Sequence, residues 1–190
     1  MSAPFIPQFF KEPLDASAPY WDYVICNETE AEAYAVSHDH KDLADAKDIR
    51  GIARVIANLP KANTKRPRTV IITQGTDPTI VAIQGQAPEE ILELKVHKIN
   101  PEQIVDTNGA GDAFAGGFVA GLVQGKDLQE SVDMGQWLAR LSIQELGPSY
   151  VFPFPLPSPL YIFSYVLTIS PPDTPSLSRP MSPPPKHRST

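Results

Sequence analysis

Residues 106–118 read DTNGAGDAFAGGF, and the fold is decided by how this stretch is read. Asn108, Gly109, Ala110 and Gly111 form a glycine-rich turn from extended chain into a helix. Such a turn can aim several backbone N–H groups into one concavity, where the positive end of the helix dipole adds its field. Glycine lets the backbone approach a ligand that a Cβ would block. An anion fits there, most naturally a phosphate. Asp112 falls in the first helical turn beside that anion. Two readings of it remain open: a carboxylate favouring the helix N-terminus, or the acceptor of a proton from a hydroxyl attacking a phosphoryl group. The turn is neither of the common nucleotide loops. Walker A needs a lysine after its last glycine, and G-x-G-x-x-G fails because Phe114 stands where the third glycine belongs.

Working outward, strand-like and helix-like segments alternate. The spacing predicts a buried strand over 22–26 (DYVIC), a helix over 28–38 and a second helix over 46–59, ended by Pro60. Strands follow over 69–73 (TVIIT), 79–83 (TIVAI) and 91–96 (ILELKV), the last with one solvated face. An apolar helix runs over 110–123 and an amphipathic one over 127–146, the pair expected to cap one face of the sheet. The order β-α-α-β-β-β-α-α is an α/β architecture. Gly116, Gly117, Gly121 and Gly125 point to tight packing of the apolar helix, or to its close approach to a ligand.

Two further segments sit at strand ends, which border the ligand crevice in open α/β sheets. Asn27 and Glu30 have the spacing of a capping box. The alternative is Glu30 near the water shell of Mg²⁺, which keeps waters and takes few direct carboxylates. Thr73 and Gly75 offer a hydroxyl and an N–H to a nucleotide, or form an ordinary turn. His38, His40, His97 and His187 have no metal-ligand spacing and read as surface residues; Trp21 and Trp137 read as core.

Composition bounds the rest. The 190 residues carry 16 basic and 22 acidic side chains, a net charge of −6, which argues against nucleic-acid binding through a global positive field. Cys26 is the single cysteine, so an internal disulfide is excluded and a reducing compartment fits. No basic n-region opens the chain, and no apolar run reaches the ~20 residues of a membrane helix. Character changes near residue 150. All 11 glycines lie at or before Gly147, and 11 of the 21 prolines lie in 151–190. Residues 1–150 read as the folded body, and 151–190 as a Pro/Ser-rich tail without order.

Together DTNGAGDAFAGGF, Asn27-x-x-Glu30 and the opening SAPFIPQFF resemble the ribokinase-like (pfkB-type) carbohydrate and nucleoside kinases, within them the members that phosphorylate adenosine. The resemblance implies a Rossmann-like central sheet flanked by helices, truncated here at its N-terminal side. It implies ATP-dependent transfer of the γ-phosphoryl group to the 5′-hydroxyl of adenosine, giving AMP in purine salvage. Asp112 is then the catalytic base. The backbone of Asn108, Gly109, Ala110 and Gly111 forms the anion hole, Thr73 and Gly75 contact ATP, and Asn27 and Glu30 organise Mg²⁺ through water. The implied protein is a monomer of the cytoplasm, or of the nucleus, with ATP and adenosine as small-molecule partners and no nucleic acid or membrane.

Residues 1–150 match about the second half of such a kinase, and 151–190 match none of it. Both boundaries are expected to be artefacts of gene prediction or splicing. The alternatives are another sugar or nucleoside kinase of the family, an inactive nucleotide-binding fragment, or a protein acting through its proline-rich tail. Truncation after Tyr150 separates the last alternative: in calorimetric titrations binding of a partner through the tail is expected to vanish, while nucleotide binding survives.

Overall fold

The computed structural model describes residues 3–147; the expectation for 151–190 lies outside them. The chain opens with helices α1 (Phe5–Phe9) and α2 (Lys11–Ser17). Each carries a proline as its third residue, Pro7 and Pro13, where a helix has no acceptor for the missing N–H. Strand β1 (Tyr23–Asn27) leads into α3 (Glu28–Ser37), α4 (Lys41–Asp45) and α5 (Ile49–Ala57). Strands β2 (Thr69–Gln74), β3 (Asp77–Ile83) and β4 (Leu92–Leu94) follow, then α6 (Ala110–Val123) and α7 (Leu128–Ser142).

Several boundaries differ from the sequence reading. The helix expected from Ala46 starts at Ile49, because Lys47 has φ 53° and Asp48 caps the new helix by accepting from the Gly51 N–H at 2.9 Å. β4 keeps only three of the six expected residues, those paired with Thr79–Val81 of β3. α7 stops at Ser142 rather than 146, and the Ile143 carbonyl turns to accept from Val105 and Asp106.

The four strands lie in the order β1-β2-β3-β4, with β1 and β2 parallel and the other pairs antiparallel. Period-two alternation divides the core. Val24, Cys26, Val70, Ile72, Ile80 and Ala82 face α3 and α5, meeting Ala31, Tyr34, Ile52, Ala53 and Ile56. Ile71 and Val81 face the other way, onto Phe114, Phe118 and Val132 of α6 and α7. The closing helices therefore cap one face, as expected, in a mixed α/β sheet flanked by helices. Trp21 is half-buried and packs against the core on the α3 and α5 side, and Trp137 is half-buried. His38 is not a free surface residue: it stacks on Tyr34 at 3.8 Å, and its Nε2 meets Asp15 Oδ1 at 2.8 Å.

Arg68 is fully buried. Nothing in the local stretch KANTKRPR singles it out, yet its guanidinium caps the C-terminus of α5. Nη1 donates to the carbonyls of Leu59, Ile56 and Ala57 at 2.7, 3.3 and 3.4 Å, and Nη2 to those of Ala18 and Pro60 at 2.6 and 3.1 Å. Planar donors and a positive charge suit the negative end of the helix dipole. Burial pulls the guanidinium below its ordinary range. Arg68→Met is expected to lower unfolding stability in urea by roughly 3 kcal/mol, since buried carbonyls lose their donors; a change under about 0.5 kcal/mol would contradict the capping role.

Burial pushes the Cys26 thiol up to about 12. The thiol is therefore neutral and shielded, and iodoacetamide at pH 8 is expected to modify it only in unfolded chain. Alkylation of native protein at the rate of a free thiol would contradict that.

Candidate functional site

Helix α6 lies against α7 because three residues lack a Cβ. A Cβ at Gly117 would stand 2.5 Å from the Met134 carbonyl oxygen, one at Gly121 2.7 Å from Ser131 Cα, and one at Gly135 2.8 Å from the Phe114 carbonyl oxygen. These pairings make the two helices antiparallel. Phe118 meets Tyr23, at the start of β1, edge-on at 5.4 Å. Gln136, beside the Phe114 level, donates to Thr79 Oγ1 at 3.1 Å and to the Leu94 carbonyl at 3.4 Å. Thr79 lies next to the β2–β3 irregularity between Ile72 and Gln74. Phe114 thus stands level with the carboxyl ends of β1 and β2, and the turn of α6 before it opens at that edge.

Asn27 and Thr73 meet at the same edge as register partners at the ends of the parallel pair. Thr73 has no partner on β3, because the register shift passes over it; such irregularities re-aim side chains. Gly75 begins a two-residue hairpin turn with φ 58°, and a Cβ there would meet nothing within 4 Å. Asn27 and Glu30 form the full capping box of α3: Asn27 Oδ1 accepts from the Glu30 N–H at 2.8 Å, and Glu30 Oε2 from the Asn27 N–H at 3.1 Å. Glu30 is buried, and its Oε1 lies outside the box. One carboxylate and one amide suit contact with a hydrated cation rather than a direct cage. Among the described residues no group of three His, Cys, Asp or Glu side chains could hold a metal.

At the start of α6, Gly109 occupies the left-handed region (φ 80°, ψ −3°), and no side chain caps the helix. Of the four expected anion-hole amides, those of Asn108 and Ala110 are taken within the turn, and those of Gly109 and Gly111 are not. The Asn108 N–H is taken by Asp106 Oδ1 at 2.9 Å, and that of Ala110 by the Thr107 carbonyl at 3.3 Å. Gly111 and Asp112 lie in the uncapped first turn, where amides have no intrahelical acceptor. A Cβ at Gly111 would meet nothing within 4 Å, and the same is nearly true of Gly116. The glycines therefore serve two purposes: Gly117 and Gly121 pack on α7, while Gly111 borders open space. Asp112 is exposed.

The sequence reading assigned no task to Asp106. Its Oδ1 also accepts from Asn108 Nδ2 at 2.8 Å, and its Oδ2 from the Gly147 N–H at 3.0 Å. The Asn108 and Gly147 amides hold this carboxyl below the usual carboxylate range. Asp two residues before an amide is an Asx-turn signal; the bond to Gly147, 41 residues on, has no local signal.

Among known proteins, the chain is 47% identical to an adenosine kinase of Schizophyllum commune over 152 residues, 80% of this chain and 43% of that one. It is 46% identical to an adenosine kinase of Schizosaccharomyces pombe, covering 83% and 45%. An Anopheles gambiae adenosine kinase in complex with P1,P4-di(adenosine-5) tetraphosphate superimposes with a TM-score of 0.69 at 45% identity, covering 78% and 43%. A Schistosoma mansoni adenosine kinase in complex with 2-fluoroadenosine gives 0.71 at 39%, covering 80% and 42%. The chain spans less than half the length of these relatives. The pfkB family carbohydrate kinase model matches residues 1–155; with the uncapped glycine turn of α6 at the carboxyl edge of the sheet, the chain belongs to the pfkB family.

Proposed function

We propose that this chain carries the phosphoryl-transfer part of an adenosine kinase, which moves the γ-phosphoryl group of ATP to the 5′-hydroxyl of adenosine and yields AMP. The observation that carries the reading is the uncapped start of α6, with open space at Gly111 and an exposed carboxylate at Asp112. Relatives named adenosine kinases at 46–47% identity support adenosine as the acceptor.

In this reading the amides of Gly111 and Asp112 stabilise charge on the transferring group, because they are fixed in direction before the reaction begins. Gly109 supplies the φ that lets the helix begin without a side chain over those amides. Asp112 accepts the hydroxyl proton as the oxygen attacks phosphorus, and positioning does the rest. Thr73 and Gly75 line the ATP side of the same edge. Asn27 and Glu30 orient the water shell of Mg²⁺, which supplies charge neutralisation at the phosphates when bound. The protein acts on small molecules, as a monomer in the cytoplasm. No helix among the described residues is long and apolar enough to cross a membrane.

Adenosine-dependent AMP formation from Mg·ATP, with ATP affinity by calorimetry, tests the assignment. Gly111→Ala adds a methyl that touches no protein atom within 4 Å; it is expected to leave thermal stability unchanged or slightly raised while weakening ATP binding about tenfold or more. Asp112→Asn is expected to keep ATP binding and lose roughly 10²–10⁴-fold in transfer rate. Wild-type chain that binds ATP but forms no AMP would leave the inactive nucleotide-binding alternative. Gly111→Ala binding ATP like wild type would remove the anion site.

A further inference from the structure

We infer that Asp106 is a positioning residue that sets the direction of the anion-binding amides, by clamping the turn before α6 to the end of α7 through Asn108 and Gly147. The inference rests on the phosphate-binding reading of that turn.

Both oxygens of Asp106 are committed. Oδ1 takes the backbone N–H and the side-chain Nδ2 of Asn108 at 2.9 and 2.8 Å, and Oδ2 takes the Gly147 N–H at 3.0 Å. The backbone is held as well, since the amides of Val105 and Asp106 donate to the Ile143 carbonyl at 2.8 and 3.3 Å. Two consecutive residues are therefore tied by main chain to Ile143, the C-cap of α7, and the second of them by side chain to Gly147 in the segment that follows. Gly109 follows at φ 80°, and the helix starts at Ala110. No side chain caps α6, so its first amides depend on two things: packing on α7 sets the helix axis, and the clamped residues set where the chain enters the first turn.

The charge has a second consequence. A carboxylate close to a bound polyphosphate repels it unless hydrogen bonds satisfy the carboxylate and aim it elsewhere. Asn108 and Gly147 do this with three donors. They also consume the Asn108 N–H, which leaves Gly109, Gly111 and Asp112 as the free amides of the turn. A purely stabilising Asx turn would need only the local bond to Asn108. The bond to Gly147 has no part in such a turn and ties it to the segment that follows α7.

Two variants separate these roles. Asp106→Asn keeps one oxygen for Asn108 but presents an NH₂ group to the Gly147 N–H, donor against donor. Asp106→Ala removes every bond. For the full chain, ¹H–¹⁵N spectra without ligand and affinity for inorganic tripolyphosphate are measured well below the unfolding midpoint of each variant. Asp106→Ala is expected to move the amide resonances of Gly109, Gly111 and Asp112. Asp106→Asn is expected to weaken tripolyphosphate binding about tenfold, and Asp106→Ala about a hundredfold, the scale of losing positioned charge-assisted bonds.

A lowered unfolding midpoint with wild-type affinity in both variants would overturn the inference, because it describes stability alone. Unmoved Gly109–Asp112 resonances in Asp106→Ala would overturn it whatever the ligand does. Wild-type chain that fails to bind tripolyphosphate while those resonances still move would overturn the phosphate reading and leave the clamp in place.

Discussion

The close approach of α6 and α7 is the constraint on which the site depends. Gly117, Gly121 and Gly135 bring the two helices together at distances that no Cβ would tolerate. That contact fixes which way α6 runs, and the edge-on meeting of Phe118 with Tyr23 fixes where along β1 it lies. The start of the helix is then carried to the carboxyl edge of the parallel pair, where Asn27 and Thr73 end in register. A glycine in a helix interior costs about 1 kcal/mol relative to alanine. Here three of them are offset by the packing of the Phe114, Phe118 and Val132 layer onto Ile71 and Val81.

Charge organises the same edge. The chain carries −6 overall, and the acidic groups Glu30, Asp106 and Asp112 all belong to this end of the fold. An anion site in such surroundings needs donors that are not cations, and backbone amides at an uncapped helix start meet that need. Each carboxylate is handled differently. Glu30 spends one oxygen on the capping box of α3, Asp106 spends both on Asn108 and Gly147, and Asp112 is exposed. Of these three, the carboxylate without a structural bond is Asp112, in the first turn of α6. That division of tasks is what supports Asp112 as the proton acceptor.

Much of this was legible in the residues. The bounds of α6 follow from the glycine turn before Ala110 and the apolar run from Ala113 to Val123, and those of β1 and β2, to within a residue, from the short apolar and β-branched runs DYVIC and TVIIT. What escaped was what local patterns cannot carry. Helices α1 and α2 hide behind prolines that a first turn tolerates, and α4 lies between Asp39 and Lys47, non-glycine residues at positive φ. Arg68 carries no local signal because its five carbonyl partners come from α5, the loop after it and Ala18. The glycines of α6 read alike, and only the position of α7 separates Gly117 from Gly111. The Asp106–Gly147 bond joins residues that the sequence holds apart.

The central claim is that the α6 turn, held at the sheet edge, is a formed anion site within this chain. Thermal unfolding of the purified chain across a range of Mg·ATP concentrations tests it most directly. The account predicts a cooperative transition that rises with nucleotide, by an amount corresponding to about 2.7 kcal/mol at a hundred times the Kd. A transition that stays in place at millimolar Mg·ATP, or no cooperative transition at all, would contradict it.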